Sequence, residues 1–219
     1  FVQAGGQRFQ RAGGENGGIA PAEGLKFVRR GNERQGGEVG DAAREVEQFE
    51  YRHDATITED GVAGKTLHSR LIMISVDKSQ HGVSEDFIFE TICHEMSHSL
   101  RWEKLPEYAE TMFDGMILEG LAVALEEEAI IKLGRRNQQF FLREMQKTSQ
   151  AEIDKIIAAL QGNFEDKVYD YTKIFFTGDD VLPRWAGYKL GYYFVKQHLH
   201  QTSQTIAQAT LASYKDFIL

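Results

Sequence analysis

The sequence predicts a helix-rich α+β domain, with a small sheet on one side of a central helix and a helical C-terminal part closing a cleft. Three observations carry this expectation. Residues 1–40 show no sustained period, the clearest strand pattern is Leu71 to Val76 (LIMISV), and from Ser84 onward the apolar spacing is helical.

Of the 21 glycines, 11 fall in residues 1–40, where each would cost a helix roughly 1 kcal/mol relative to Ala. That segment carries six Arg/Lys and four Glu, a net of +2, so the chain's −8 leaves −10 for residues 41–219. The expected division is a Gly-rich irregular arm over 1–40 and a single domain over 41–219. Gly13 to Gly18 (GGENGG) has no apolar strand before it and no Gly-Lys-Ser/Thr after it, so it reads as irregular backbone rather than a phosphate loop. The chain does not begin with Met, and a removed leader would leave no trace in it.

A short strand is expected at Leu25 to Arg29 and a short amphipathic helix at 41–51. Ser84, Glu85 and Asp86 form a cap and acidic first turn for a helix reaching about Trp102. Pro106 separates it from a second helix, Glu107 to Leu133, stopped by Gly134. Further helices are expected at Asn137 to Lys147, Gln150 to Leu160, Arg184 to Gln201 and Thr205 to Phe217, with a long loop from Asn163 to Pro183 that has room for one strand or turn.

Composition narrows the chemistry. Cys93 is the single cysteine, so intrachain disulfides and Cys-rich zinc frameworks are excluded and any metal must use His and carboxylates. The acidic balance argues against a nucleic-acid partner, because like charge repels the phosphate backbone. No run of 18 apolar residues offers a membrane span.

His94-Glu95-Met96-Ser97-His98 matches H-E-x-x-H. Two His four apart differ by about 40° around a helix and about 6 Å along it, so both imidazoles reach one ion. Glu95 projects to the side, where it can take a proton from a water at that ion. On the helical wheel Phe89, Ile92, Cys93, Met96 and Leu100 gather opposite Glu90, His94, His98 and Arg101. The expectation is a helix that buries its apolar face and presents both His on the other. Cys93 then reads as a small buried apolar residue.

A catalytic zinc site uses three protein ligands and keeps one position for water. A metzincin would need Gly at 101 and His at 104, where this chain has Arg101 and Lys104. The remaining source is a carboxylate from the next helix: Asp114, Glu119 or the run Glu126 to Glu128. Glu119 is favoured. From Met116 to Leu125 (MILEGLAVAL) it is the sole polar side chain, and an unpaired carboxylate in such a stretch would cost several kcal/mol. Gly120 beside it removes a side chain where two helices could approach. The Glu126 to Glu128 run reads as a solvated face.

With these residues in hand, the chain resembles the gluzincin group of metallopeptidases, in which H-E-x-x-H is completed by a downstream Glu. More narrowly, HEMSHSLRW, LEGLAVAL and GYKLGYYFV, in this order over roughly residues 70–200, resemble a bacterial family described as predicted zinc-dependent proteases. The resemblance implies a zincin-like domain with one Zn2+ held by His94, His98 and Glu119, Glu95 as general base, and a peptide or protein substrate. Thermolysin-like enzymes add a side-chain donor to the oxyanion from outside the motif helix. Tyr188 and Tyr192, four apart beside Gly187 and Gly191, are the candidates, with His198 a weaker one. His198 and His200 otherwise read as surface residues, and Trp102 and Trp185 as packing residues near helix ends. The competing readings are a zinc-binding or regulatory protein that keeps the fold without catalysis, and a metal-free helical interaction domain.

Overall fold

The expected strand Leu71 to Val76 is present and has a partner that periodicity did not mark. In the computed structural model, β1 (Val62–His68) and β2 (Leu71–Val76) form a two-stranded antiparallel sheet pairing Val62 with Val76 and Thr66 with Ile72. The structure describes residues 59–77, 79–80, 82–105, 109–135 and 137–217. The Gly-rich arm, the expected strand at Leu25 to Arg29, the expected helix at 41–51, His53 and His81 lie outside the described residues.

Helix α1 (Glu85–Lys104) carries the H-E-x-x-H motif and lies between the sheet and α2 (Met112–Lys132). Ser84 caps α1, its hydroxyl accepting from the Asp86 N–H at 3.1 Å. Helix α2 is apolar around its circumference and accordingly central, with α1 on one side and α5 (Ala186–Thr202) on another. Helices α3 (Phe140–Lys147) and α4 (Gln150–Leu160) complete the core, which gathers Met116, Ile117, Leu121, Leu142, Ile156, Phe175 and Leu190.

Two boundaries differ from expectation for local reasons, and one loop gains definition. Helix α2 begins at Met112 rather than Glu107, because Thr111 and Asp114 form a capping box that satisfies its first donors. The expected helix Thr205 to Phe217 is broken into α6 (Ile206–Ala209) and a 3-10 turn, Tyr214–Phe217. The Arg101 guanidinium takes the Thr210 carbonyl at 2.6 Å, removing that acceptor from a continuing helical ladder. The expected loop Asn163 to Pro183 contains a wide helical turn, Lys173–Thr177, ended by Gly178 at φ 66°. Carbonyls of Phe164 and Asp166 accept from the first amides of α2, so this segment is fastened to the helix bearing Glu119.

Helices α2 and α5 meet through glycine on both sides. A Cβ on Gly120 would stand 2.7 Å from Tyr192 N and closer still to the Gly191 carbonyl. A Cβ on Gly191 would stand 2.6 Å from the Met116 carbonyl carbon. Main chain packs directly on main chain there, as Gly120 suggested.

Candidate metal centre

The buried face of α1 is the reverse of the one its apolar residues marked. Glu90, Thr91, His94, Glu95, Ser97, His98 and Arg101 are buried, whereas Met96 is 55% and Leu100 40% exposed. The expectation that the helix would bury its apolar face is thereby corrected. Hydropathy assumes that polar groups seek water, but here Glu95 meets Thr66 of β1, His94 and His98 meet Glu119 of α2, Glu90 accepts from the Gln139 amide and Arg101 donates to the Thr210 carbonyl. Cys93 is buried, and burial pushes its thiol up to about 11.

At that contact, one donor atom each from His94, His98 and Glu119 lies within 4.8 Å of the others, the sole such group among the described residues. His94 Nε2 stands 3.1 Å and His98 Nε2 3.3 Å from Glu119 Oε2. All three side chains are buried. Asp114, weighed as a ligand, instead caps α2 through its contacts with the Glu110 and Thr111 amides.

Glu126, expected on a solvated face, is 2% exposed and hydrogen bonded to His94 Nδ1. It follows Glu119 by seven residues, two helical turns, so both carboxylates occupy one stripe of α2. That spacing is the signal in the sequence that distinguishes it from its neighbours. Glu127 pairs with Lys196 and Glu128 with Lys132 toward the surface.

The arrangement of lone pairs tests whether a metal fits. A carboxylate only accepts, so Nδ1 of His94 donates to Glu126, and in the neutral ring Nε2 turns its lone pair toward Glu119 Oε2. Among the described residues, neither nitrogen of buried His98 has a well-formed hydrogen-bond partner, Nε2 standing 3.3 Å from Glu119 Oε2. Two imidazole nitrogens and a carboxylate oxygen facing one another repel unless a cation lies among them, and the His2Glu set is one that zinc takes. Electrostatics point the same way. Burial opposes charge on His94, yet Glu126 and Glu119 outweigh it and hold its pKa well above the ordinary histidine value. Burial likewise opposes charge on Glu119, and His98 and His94 hold its carboxyl far below the carboxylate range. The cluster draws in positive charge, as a proton or as a metal ion.

Glu95 sits against β1. Thr66 Oγ1 donates to Glu95 Oε2 at 2.7 Å, sharing its hydrogen with the Glu95 carbonyl at 3.0 Å. Gly64 lets the strand come this close, for a Cβ there would lie 2.5 Å from Glu95 Cγ and Oε1. The small sheet thus positions the motif's Glu, a role that no local pattern in the sequence announced.

Tyr188 and Tyr192 separate. Tyr188 is buried, its ring centroid 6.3 Å from that of His94 and 5.1 Å from that of Phe141. Burial pushes its phenol well above the ordinary tyrosine value, and Glu119 adds to the rise. Tyr192, also raised by burial, has Glu127 as its partner and Lys196 over its ring, and so does not join the cluster. His198 is buried rather than at the surface. Its ring bonds the Asp216 carbonyl at 2.9 Å and Gln204 at 3.0 Å, holding the last turns of the chain against α5. Exposed His200 agrees with expectation, and His68 stands beside Trp102, away from the cluster. Sequence reasoning missed Tyr171, whose hydroxyl donates to Glu119 Oε1 at 3.2 Å from 52 residues away.

Fold and site together define a helix-rich α+β domain built around a buried two-His, one-Glu centre that suits zinc. Residues 48–219 match the family described as Predicted Zn-dependent protease (DUF2268), and the chain belongs to that family. The family's description names zinc as the metal, in keeping with the donor set. No curated protein and no solved structure matches the chain. No helix among the described residues is long and apolar enough to cross a membrane.

Proposed function

We propose that the protein is a zinc metallopeptidase that hydrolyses peptide bonds, with one Zn2+ per chain held by His94, His98 and Glu119 in the gluzincin manner. The observation that supports this most is the convergence of those three buried donors beside a motif Glu held against a strand. When bound, zinc supplies Lewis acidity, making a water acidic near neutral pH and polarising a carbonyl.

The remaining work falls to the chain's own groups. Glu95 takes the proton of the attacking water and hands it to the departing amine. Thr66 holds one Glu95 oxygen, which leaves the other for that transfer. Tyr188, the phenol beside the cluster, donates to the oxygen that gains charge as the carbonyl becomes tetrahedral. Glu126 keeps His94 in the tautomer that turns Nε2 inward. In this reading the catalytic domain is residues 41–219, with the Gly-rich 1–40 segment appended to it.

Elemental analysis of protein purified without added metal, followed by a peptide-library digest, tests the proposal. About one zinc per chain is expected, with hydrolysis that Glu95→Gln abolishes while metal is retained. Zinc without hydrolysis in either form identifies a non-catalytic zinc-binding protein, and absence of metal overturns the centre itself.

A further inference from the structure

Tyr171 has no part in the H-E-x-x-H scheme, yet its hydroxyl donates to Glu119. The two carboxylate oxygens of Glu119 have separate occupations. Oε2 faces His94 Nε2 and His98 Nε2, whereas Oε1 accepts from the Tyr171 hydroxyl at 3.2 Å. Rotation about the last torsion of a Glu is soft and nearly two-fold. Left alone, the carboxylate could offer either oxygen, or both.

The phenol's position is itself built in. The Tyr171 ring stacks on Phe175, with centroids 4.5 Å apart and an interplanar angle of 20°. Phe175 is fully buried. It fits because Gly187 on α5 clears its path: a Cβ there would lie 2.6 Å from its ring. Gly187 therefore makes room for the aromatic that supports Tyr171. The fastening of Phe164 and Asp166 to the start of α2 ties the same segment to the helix that bears Glu119.

The geometry points to Tyr171 as a positioning residue that occupies Glu119 Oε1 and so commits Glu119 to a metal through Oε2 alone. This rests on the zinc reading above and adds to it how the third ligand is set. A single carboxylate oxygen keeps the coordination number low, which suits zinc; a carboxylate free to bind through both oxygens suits larger cations. Partners behind a ligand typically govern metal affinity by about 10–100-fold.

Tyr171→Phe removes the hydroxyl and keeps the stacked ring. Zinc affinity, measured by competition with a chromophoric chelator, is expected to fall about 10–100-fold, with the thermal midpoint of the metal-free protein unchanged. The visible absorption of the Co2+-loaded variant is expected to weaken relative to wild type, as a second carboxylate oxygen enters the coordination shell. Phe175→Leu, which removes the supporting ring, serves as the comparison for structural damage. Equal zinc affinity and an unaltered Co2+ spectrum in Tyr171→Phe overturn the positioning role and leave the zinc centre standing. A metal-free midpoint lowered as far as in Phe175→Leu also overturns it, since the hydroxyl would then serve the fold. A wild-type chain with no measurable zinc affinity overturns the zinc reading and this inference with it.

Discussion

Gly120→Ala tests the contact on which the centre is mounted, because Gly120 directly follows Glu119 and lies where α2 and α5 touch through their main chains. The added Cβ would stand 2.7 Å from Tyr192 N and nearer to the Gly191 carbonyl, against the roughly 3.5 Å of an ordinary contact, so α5 must retreat by about 1 Å. No side-chain rotation can absorb this, since the opposing atoms are backbone. Overpacking costs about 1–3 kcal/mol, and the rigidity of main chain puts this case at or above the upper end. Better helix propensity returns about 1 kcal/mol. A net loss of about 2 kcal/mol or more is expected, or about 4–8 °C in Tm for a chain of this size. Gly162→Ala is the control: a Cβ there meets nothing within 4 Å and its φ is not left-handed. Urea unfolding followed by the fluorescence of Trp102 and Trp185 measures both variants. Equal stability of the two would refute the close-approach argument, and with it the account of how α2 and α5 hold Glu119 and Tyr188.

Three other perturbations probe the groups around the centre. Gly64→Ala pushes a Cβ into Glu95, and a displacement near 1 Å is expected to lower turnover about 100-fold with zinc content unchanged; wild-type turnover would show that β1 does not position the base. Glu126→Gln leaves an acceptor for His94 Nδ1 but removes its charge, so zinc affinity by chelator competition should fall by about tenfold, and an unchanged value would remove Glu126 from the centre. Burial pushes the Glu90 carboxyl from 4.5 up to about 8, against the opposing Gln139 amide and with the nearby Glu126 adding to the rise. The folded chain therefore holds a proton that the unfolded chain releases, and this contribution to stability declines as pH rises from about 4.5 through about 8. Glu90→Gln should flatten that decline between pH 5 and 9 in urea midpoints; profiles parallel to wild type would contradict it.

Much of the centre was legible along the chain because its signals are local. The four-residue spacing of His94 and His98 needs only helical geometry, and Glu119 declared itself as a lone carboxylate in an apolar run. Glu126 was legible in principle through its seven-residue step from Glu119, but its acidic neighbours gave it the look of a surface run. Helix α1 misled for a related reason. Met96 and Leu100 are partly exposed while Glu90, Glu95 and Arg101 are buried, an inversion that hydropathy cannot express when polar groups are each other's partners.

By itself, then, the sequence determined the helix-rich class, marked the motif pair with Glu119 as candidate ligands, and pointed to Gly120 as a place where helices could touch. Only the tertiary structure decided that Thr66 and Gly64 hold Glu95, that Tyr188 rather than Tyr192 joins the cluster, and that Tyr171 engages Glu119. Those contacts join residues from 29 positions apart, Thr66 and Glu95, to 94 apart, His94 and Tyr188. Periodicity reports which face of an element is buried, whereas which distant side chain meets it depends on how the elements pack.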